Sequence, residues 1–154
     1  MQALRPPENS EQVRFPATLQ GLDALHNALE RFWRLCDAVP YAPPQGVWRY
    51  MFVIAVGEIA GNIVRHAYAG TPGGAIELRL RLFDDHVVAR FVDHGGTYMP
   101  RPSANDATVS TDDSDQAEDG RGLQVAAVAL DSLHYRRTTG GVNIWRLVKR
   151  MPDS

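Results

Sequence analysis

The sequence is short of lysine and cysteine. Among 154 residues, Lys149 is the only lysine and Cys36 the only cysteine. One thiol excludes a disulfide framework and any CxxC metal site. There is no GxxxxGK[ST], and the one lysine stands near the C-terminus, so the usual P-loop chemistry is excluded. Surplus charge is lacking too. A net charge of −2 with 22% charged residues describes neither a disordered acidic chain nor a basic nucleic-acid binder. No apolar run reaches the ~18–20 residues of a membrane span. The longest, Tyr50 to Gly57, is followed at once by Glu58. The first residues, Met1-Gln2-Ala3-Leu4-Arg5-Pro6-Pro7, lack the apolar segment of a secretory signal, so a cytoplasmic location is expected. His26, His66, His86, His94 and His134 are scattered, which argues against a metal cluster, and no GxSxG supports a serine hydrolase.

What is present suits one domain: 44% of residues are hydrophobic, and domains cluster at ~100–150 residues. Residues 1–11 read as a tail and 12–150 as the domain. A short edge strand is expected over 13–19, demoted to the edge by Pro16. Leu22, Leu25, Leu29, Phe32, Cys36 and Val39 recur at spacings of three and four, which predicts a one-faced helix ended by Pro40, Pro43 and Pro44. A second helix, about 45–68, is apolar around most of its circumference and so is central. Alternation at Ile76, Leu78, Leu80 and Leu82 predicts a half-buried strand. Asp84-Asp85 turns it back into a second strand over 86–92. Residues 97–119 are poor in large apolar side chains and carry six acids against Arg101, the composition of a lid or loop. A helix over 123–130 and a hairpin around Thr139-Gly140-Gly141 close the chain. Helices and antiparallel hairpins are segregated, so the expected class is α+β, a two-layer α/β sandwich with a mixed, mainly antiparallel sheet.

Three places could carry chemistry. Glu58 and Asn62 stand one turn apart on the central helix, and Arg65 and His66 extend that face. Polar groups there need partners or a purpose. An amide oxygen suits Mg2+, and a carboxylate can serve as general base. Asp93 ends a strand and is followed by Gly95 and Gly96. It is either a plain turn or an acceptor for an exocyclic amino group, with glycine giving a flat ligand room. Gly120-Arg121-Gly122-Leu123 precedes a helix, and a glycine-led helix start offers free N–H groups to an anion.

In order along the chain these elements resemble the GHKL (Bergerat-fold) ATPase/kinase superfamily. The likeness is closest to its anti-sigma-factor serine/threonine kinase branch. Glu58-Ile59-Ala60-Gly61-Asn62-Ile63-Val64-Arg65-His66-Ala67-Tyr68 matches the family's ExxxNxxxHAY box. Asp93-His94-Gly95-Gly96-Thr97-Tyr98-Met99-Pro100 matches DxGxx[FY]xP, and Gly120 to Leu123 matches GRGL. Gly140 to Arg150 resembles the final strand. Thr97 stands where many members have a second glycine, and Met99 where the branch often has Asp. The resemblance implies an ATP-binding fold in which Asn62 holds Mg2+, Glu58 is general base, and Asp93 reads adenine beside Gly95. Gly120, Gly122 and Leu123 would form the phosphate-binding helix start, with 97–119 as ATP lid. Arg65 and Arg121 are expected phosphate contacts. The implied partners are a sigma factor and a STAS-domain anti-anti-sigma factor, for a homodimer that binds neither nucleic acid nor membrane. The alternative is a non-catalytic ATP-binding regulator of another target.

Overall fold

The computed structural model describes residues 9–67, 74–96, 107–108 and 118–152; for 67, 107–108 and 118–121 it describes the backbone alone. The elements are β1 (Ser10–Pro16), α1 (Leu22–Asp37), α2 (Val47–Asn62), β2 (Ala75–Leu82), β3 (His86–Asp93), β4 (Ala107–Thr108), α3 (Glu118–Ala129), β5 (Ser132–Arg137) and β6 (Asn143–Arg150), with a π-helical turn, Ile63–Ala67, extending α2. The strands form one six-stranded sheet in the order β1-β2-β3-β6-β5-β4. Every described pairing is antiparallel, so the sheet is not mixed. This is the expected α+β sandwich, with helices over one face.

Alternation sets that face. Ile76, Leu78, Leu80 and Leu82 are all buried, while the residues between them are partly exposed. Register carries the apolar side chains from strand to strand: Leu78 opposes Phe91, Phe91 opposes Trp145, and Trp145 opposes Tyr135. Each of the four is at most 3% exposed. Helix α1 lays Leu25, Ala28, Leu29, Phe32 and Cys36 on this core, the predicted stripe. Gly21 is required at its start. A Cβ there would lie 2.0 Å from the carbonyl oxygen of Pro16, so only glycine lets α1 begin so close to β1.

Helix α2 is central as expected, with Phe52, Ala55, Val56, Ile59 and Ala60 fully buried. By length and composition alone, Val47–His66 would also suffice to cross a membrane. In this fold that apolar surface packs against α1, α3 and β6.

Three boundaries differ from expectation. β1 begins at Ser10, inside the stretch read as tail. The 97–119 stretch contributes β4, which pairs Ala107 with Tyr135. Helix α3 begins at Glu118 rather than after the glycines. Glu118 and Asp119 favour a helix start because carboxylates complement the positive end of the dipole. Gly120, Arg121 and Gly122 therefore lie within the first turns. Residues 97–106, 109–117 and the stop signal 70–73 lie outside the described residues.

Candidate functional site

The core face changes character at one end of the sheet. Register places Asp93 of β3 opposite Asn143 of β6, and Asn143 opposite Arg137 of β5. This polar row follows directly on the Phe91–Trp145–Tyr135 row. Asp93 is fully buried and Asn143 is 1% exposed. Asp93 Oδ1 accepts from the Gly95 N–H at 2.9 Å and from Asn143 Nδ2 at 2.8 Å. Asp93 Oδ2 has no partner among the described residues, although it is buried. Burial pushes the Asp93 carboxyl above its ordinary value, offset in part by Asn143, the Gly95 N–H, His94 and Arg137.

Asn143 is the hub of the row. Its Nδ2 also donates to the carbonyls of Gly95 and Gly96, at 3.3 and 2.9 Å. Its Oδ1 accepts from the Tyr135 hydroxyl at 2.6 Å and from Arg137 Nη1 at 2.9 Å. Arg137 Nη1 donates to the Gly95 carbonyl as well, at 2.9 Å. One amide thus fixes the carboxylate and the glycine turn together. One Asp93 oxygen is locked, and the other is left as a buried acceptor without a donor. Buried acceptors are rarely left so, and this one suits a ligand amino group.

A second cluster joins α2 to α3. Glu58 is half-buried and Asn62 fully buried. A Cβ built on Gly122 would stand 2.5 Å from Glu58 Oε2 and 3.9 Å from Asn62 Nδ2. The bare backbone of Gly122 lets α3 press against the Glu58 carboxylate, the flexible side-chain end that an added Cβ would displace. Its own N–H lies past the four unpaired donors of the helix start, of which Gly120 carries the last. The Arg121 side chain lies outside the described set. The Leu123 side chain is 7% exposed and joins the core, which anchors the helix start. Asn62 Oδ1 accepts from Arg65 Nη2 at 2.8 Å, while Asn62 Nδ2 is buried without a partner among the described residues. Arg65 itself lies over Gly61, its Nη1 3.2 Å from where a Cβ would be.

The structure thus gathers Glu58, Asn62, Arg65 and Gly122 at one place and Asp93 and Gly95 at another. Asn143, Arg137 and Tyr135 escaped the sequence reading. The π-helical turn that continues α2 leads on to the strand whose Ile76 opposes Asp93, so the row closes the end of the sheet that α2 feeds.

The family model for the histidine kinase-like ATPase domain matches residues 16–149. The chain belongs to that family. The match spans every element from the end of β1 to the end of β6, and so both clusters of the ATPase domain. No curated protein matches the chain. Cys36 has no part in the ATPase domain's chemistry: burial pushes its thiol up to about 12, so it stays protonated and unreactive.

Proposed function

We propose that this ATPase domain is an anti-sigma-factor serine/threonine kinase: it binds ATP, sequesters a sigma factor and phosphorylates a STAS-domain anti-anti-sigma factor. The single observation that carries nucleotide binding is the buried, unpartnered Oδ2 of Asp93. An adenine amino group supplies the missing donor, and the Gly95-Gly96 turn held by Asn143 lets the flat ring approach. The kinase branch rests on the residues of the 58–68 box and on Glu58, a half-buried carboxylate within reach of solvent and partner.

Mg2+ fits in a limited way. Among the described residues no cluster of three or more His, Cys, Asp or Glu could cage a metal. Mg2+ at nucleotide sites commonly takes one or two protein ligands and leaves the rest to phosphates and water. The Asn62 amide oxygen would be that ligand, once Arg65 gives it up. The ion would supply charge neutralisation on the phosphates. Arg65, so released, would stand beside the phosphates as a second cation, and the free N–H of Gly120 would help to cradle an anion, with Arg121 as a further phosphate contact. Glu58 takes the proton of the acceptor hydroxyl, and Gly122 holds the carboxylate in place by standing against it. Phosphoryl transfer needs positioning and charge stabilisation more than covalent help, and this set supplies both. Residues 97–119 serve as the lid, and a homodimer in the cytoplasm is the working state.

The test is transfer of labelled phosphate from ATP to a STAS-domain protein. Glu58→Gln is expected to lower transfer by roughly 100-fold or more while nucleotide affinity stays within about threefold. Nucleotide binding with no transfer to any STAS protein would favour the alternative, a non-catalytic ATP-binding regulator. Gly122→Ala separates position from chemistry. Its Cβ displaces the end of a flexible side chain, so Tm should move by only about 1–2 °C. Transfer should fall by roughly 10- to 100-fold, because the base is shifted by an ångström or more.

A further inference from the structure

The face of the sheet turned away from the helices carries a cationic row. Register sets Arg79 of β2 opposite Arg90 of β3, and Arg90 opposite Arg146 of β6. Three arginines thus stand side by side on neighbouring strands, whose backbones are about 4.8 Å apart in the pairing direction. Like charges directly opposite one another destabilise a sheet. No ion pair relieves them: Arg79 donates only to the Gln12 amide oxygen, at 3.2 Å, and Arg90 and Arg146 have no polar partner among the described residues. Arg81 and Arg136 share the face. Burial, then the charges of Arg79 and Arg90, depress the pKa of Arg81. The only carboxylate among the described strand residues of this face is Glu77, already paired with Arg14 at 3.5 Å.

Aliphatic side chains interleave with the row. Val88 opposes Val148 on one side of it, and Val92 opposes Ile144 on the other. Val88 and Val148 are only 6% and 8% exposed, although no described helix packs over this face.

We infer that this outer sheet face, the Arg79–Arg90–Arg146 row set between aliphatic pairs, is a docking surface for a partner protein that presents carboxylates. Arginine among apolar side chains is the make-up of protein interfaces. A nucleic-acid backbone has no use for the partly exposed Val92–Ile144 pair, and a net charge of −2 gives no long-range attraction to polyanions. Two copies face to face would oppose row with row, so a second copy is disfavoured as occupant. The face lies across the sheet from Asp93 and Glu58. A partner held here leaves the nucleotide end open, and the inference stands whether or not the kinase reading does.

The probes are a labelled 15-residue polyglutamate peptide, a labelled 15-base-pair duplex and phosphatidylserine-containing vesicles, each titrated against the full chain. The peptide is expected to bind, and to weaken at least ~10-fold between about 50 and about 300 mM NaCl. Arg90→Glu with Arg146→Glu should abolish its binding while leaving ATP affinity unchanged. Arg90→Thr guards against misfolding. It should weaken the peptide several-fold yet raise the Tm of the isolated chain, because it removes the middle charge of three. Binding of the duplex or vesicles in place of the peptide would overturn the inference. So would binding of no probe, peptide binding that ignores both variants, or a lower Tm for Arg90→Thr.

Discussion

Asp93→Asn should cost roughly 100-fold or more in ATP affinity and, at neutral pH, make the ligand-free chain more stable. The two effects share one cause. The Asn side-chain oxygen can keep the bonds that Oδ1 accepts from Asn143 and the Gly95 N–H. Its NH2 replaces the orphaned Oδ2, so a donor meets the adenine amino group where an acceptor stood. In the empty site, however, the substitution removes a carboxylate that burial penalises. Folding raises the Asp93 pKa above its ordinary value of 3.8. The folded state therefore binds that proton more tightly. The stability from this linkage is fully present below the unfolded value and is lost as pH rises through the raised folded value. The wild-type chain loses it progressively as pH rises; the amide has no charge to lose. Calorimetry with ATP and thermal melts at about pH 5 and about pH 8 check both halves. The Tm gain of Asp93→Asn should be larger at the higher pH. Unchanged ATP affinity would remove the adenine assignment.

Asn143→Ala should be the most damaging single change at the site. It deletes the donor to Asp93 Oδ1 and to two glycine carbonyls. It also strips the Tyr135 hydroxyl of its acceptor and Arg137 of one of two. Truncating one member of a buried network leaves the others desolvated and unpaired. A loss of about 3 kcal/mol or more is expected, a fall in Tm of roughly 6–12 °C. ATP binding should vanish with it, because the glycine turn loses its clamp. Asn143→Asp is the informative companion. It keeps the acceptor for Tyr135 and Arg137 but sets a second carboxylate against Asp93, so its stability should recover as pH falls. Melts and ATP titrations of the two variants distinguish a clamp from ordinary packing. Asn143→Ala that melts and binds like the wild type would deny Asn143 its place at the hub.

The parts of this molecule that were legible in the sequence are those encoded locally. Glu58 and Asn62 are four apart on one helix, so their shared face followed from helix geometry alone. The strand alternation from Ile76 to Leu82 fixed which side chains are buried. Asp93 could be placed at a strand end because Gly95 and Gly96 follow it. What stayed hidden depends on contacts between distant segments. Asn143 lies 50 residues from Asp93, and only the β3–β6 register makes them neighbours. The Arg79–Arg90–Arg146 row needs three strands in register before it exists. Helix α3 starts at Glu118, ahead of the glycines expected to open it, because the acids at 118 and 119 complement the positive end of the helix dipole. β4 is two residues long and carries no periodicity to detect.

The hairpin between β5 and β6 sets the spacing of the polar row. Arg137 ends one strand and Asn143 starts the next, with five residues between them. Because successive side chains alternate sides, one residue added or deleted here without a compensating bulge would turn Asn143 toward solvent and bring Val142 or Ile144, respectively, to face Asp93. The length of a surface turn thereby decides whether Asp93 and Asn143 meet. Variation in that turn is tolerable only in steps that preserve parity.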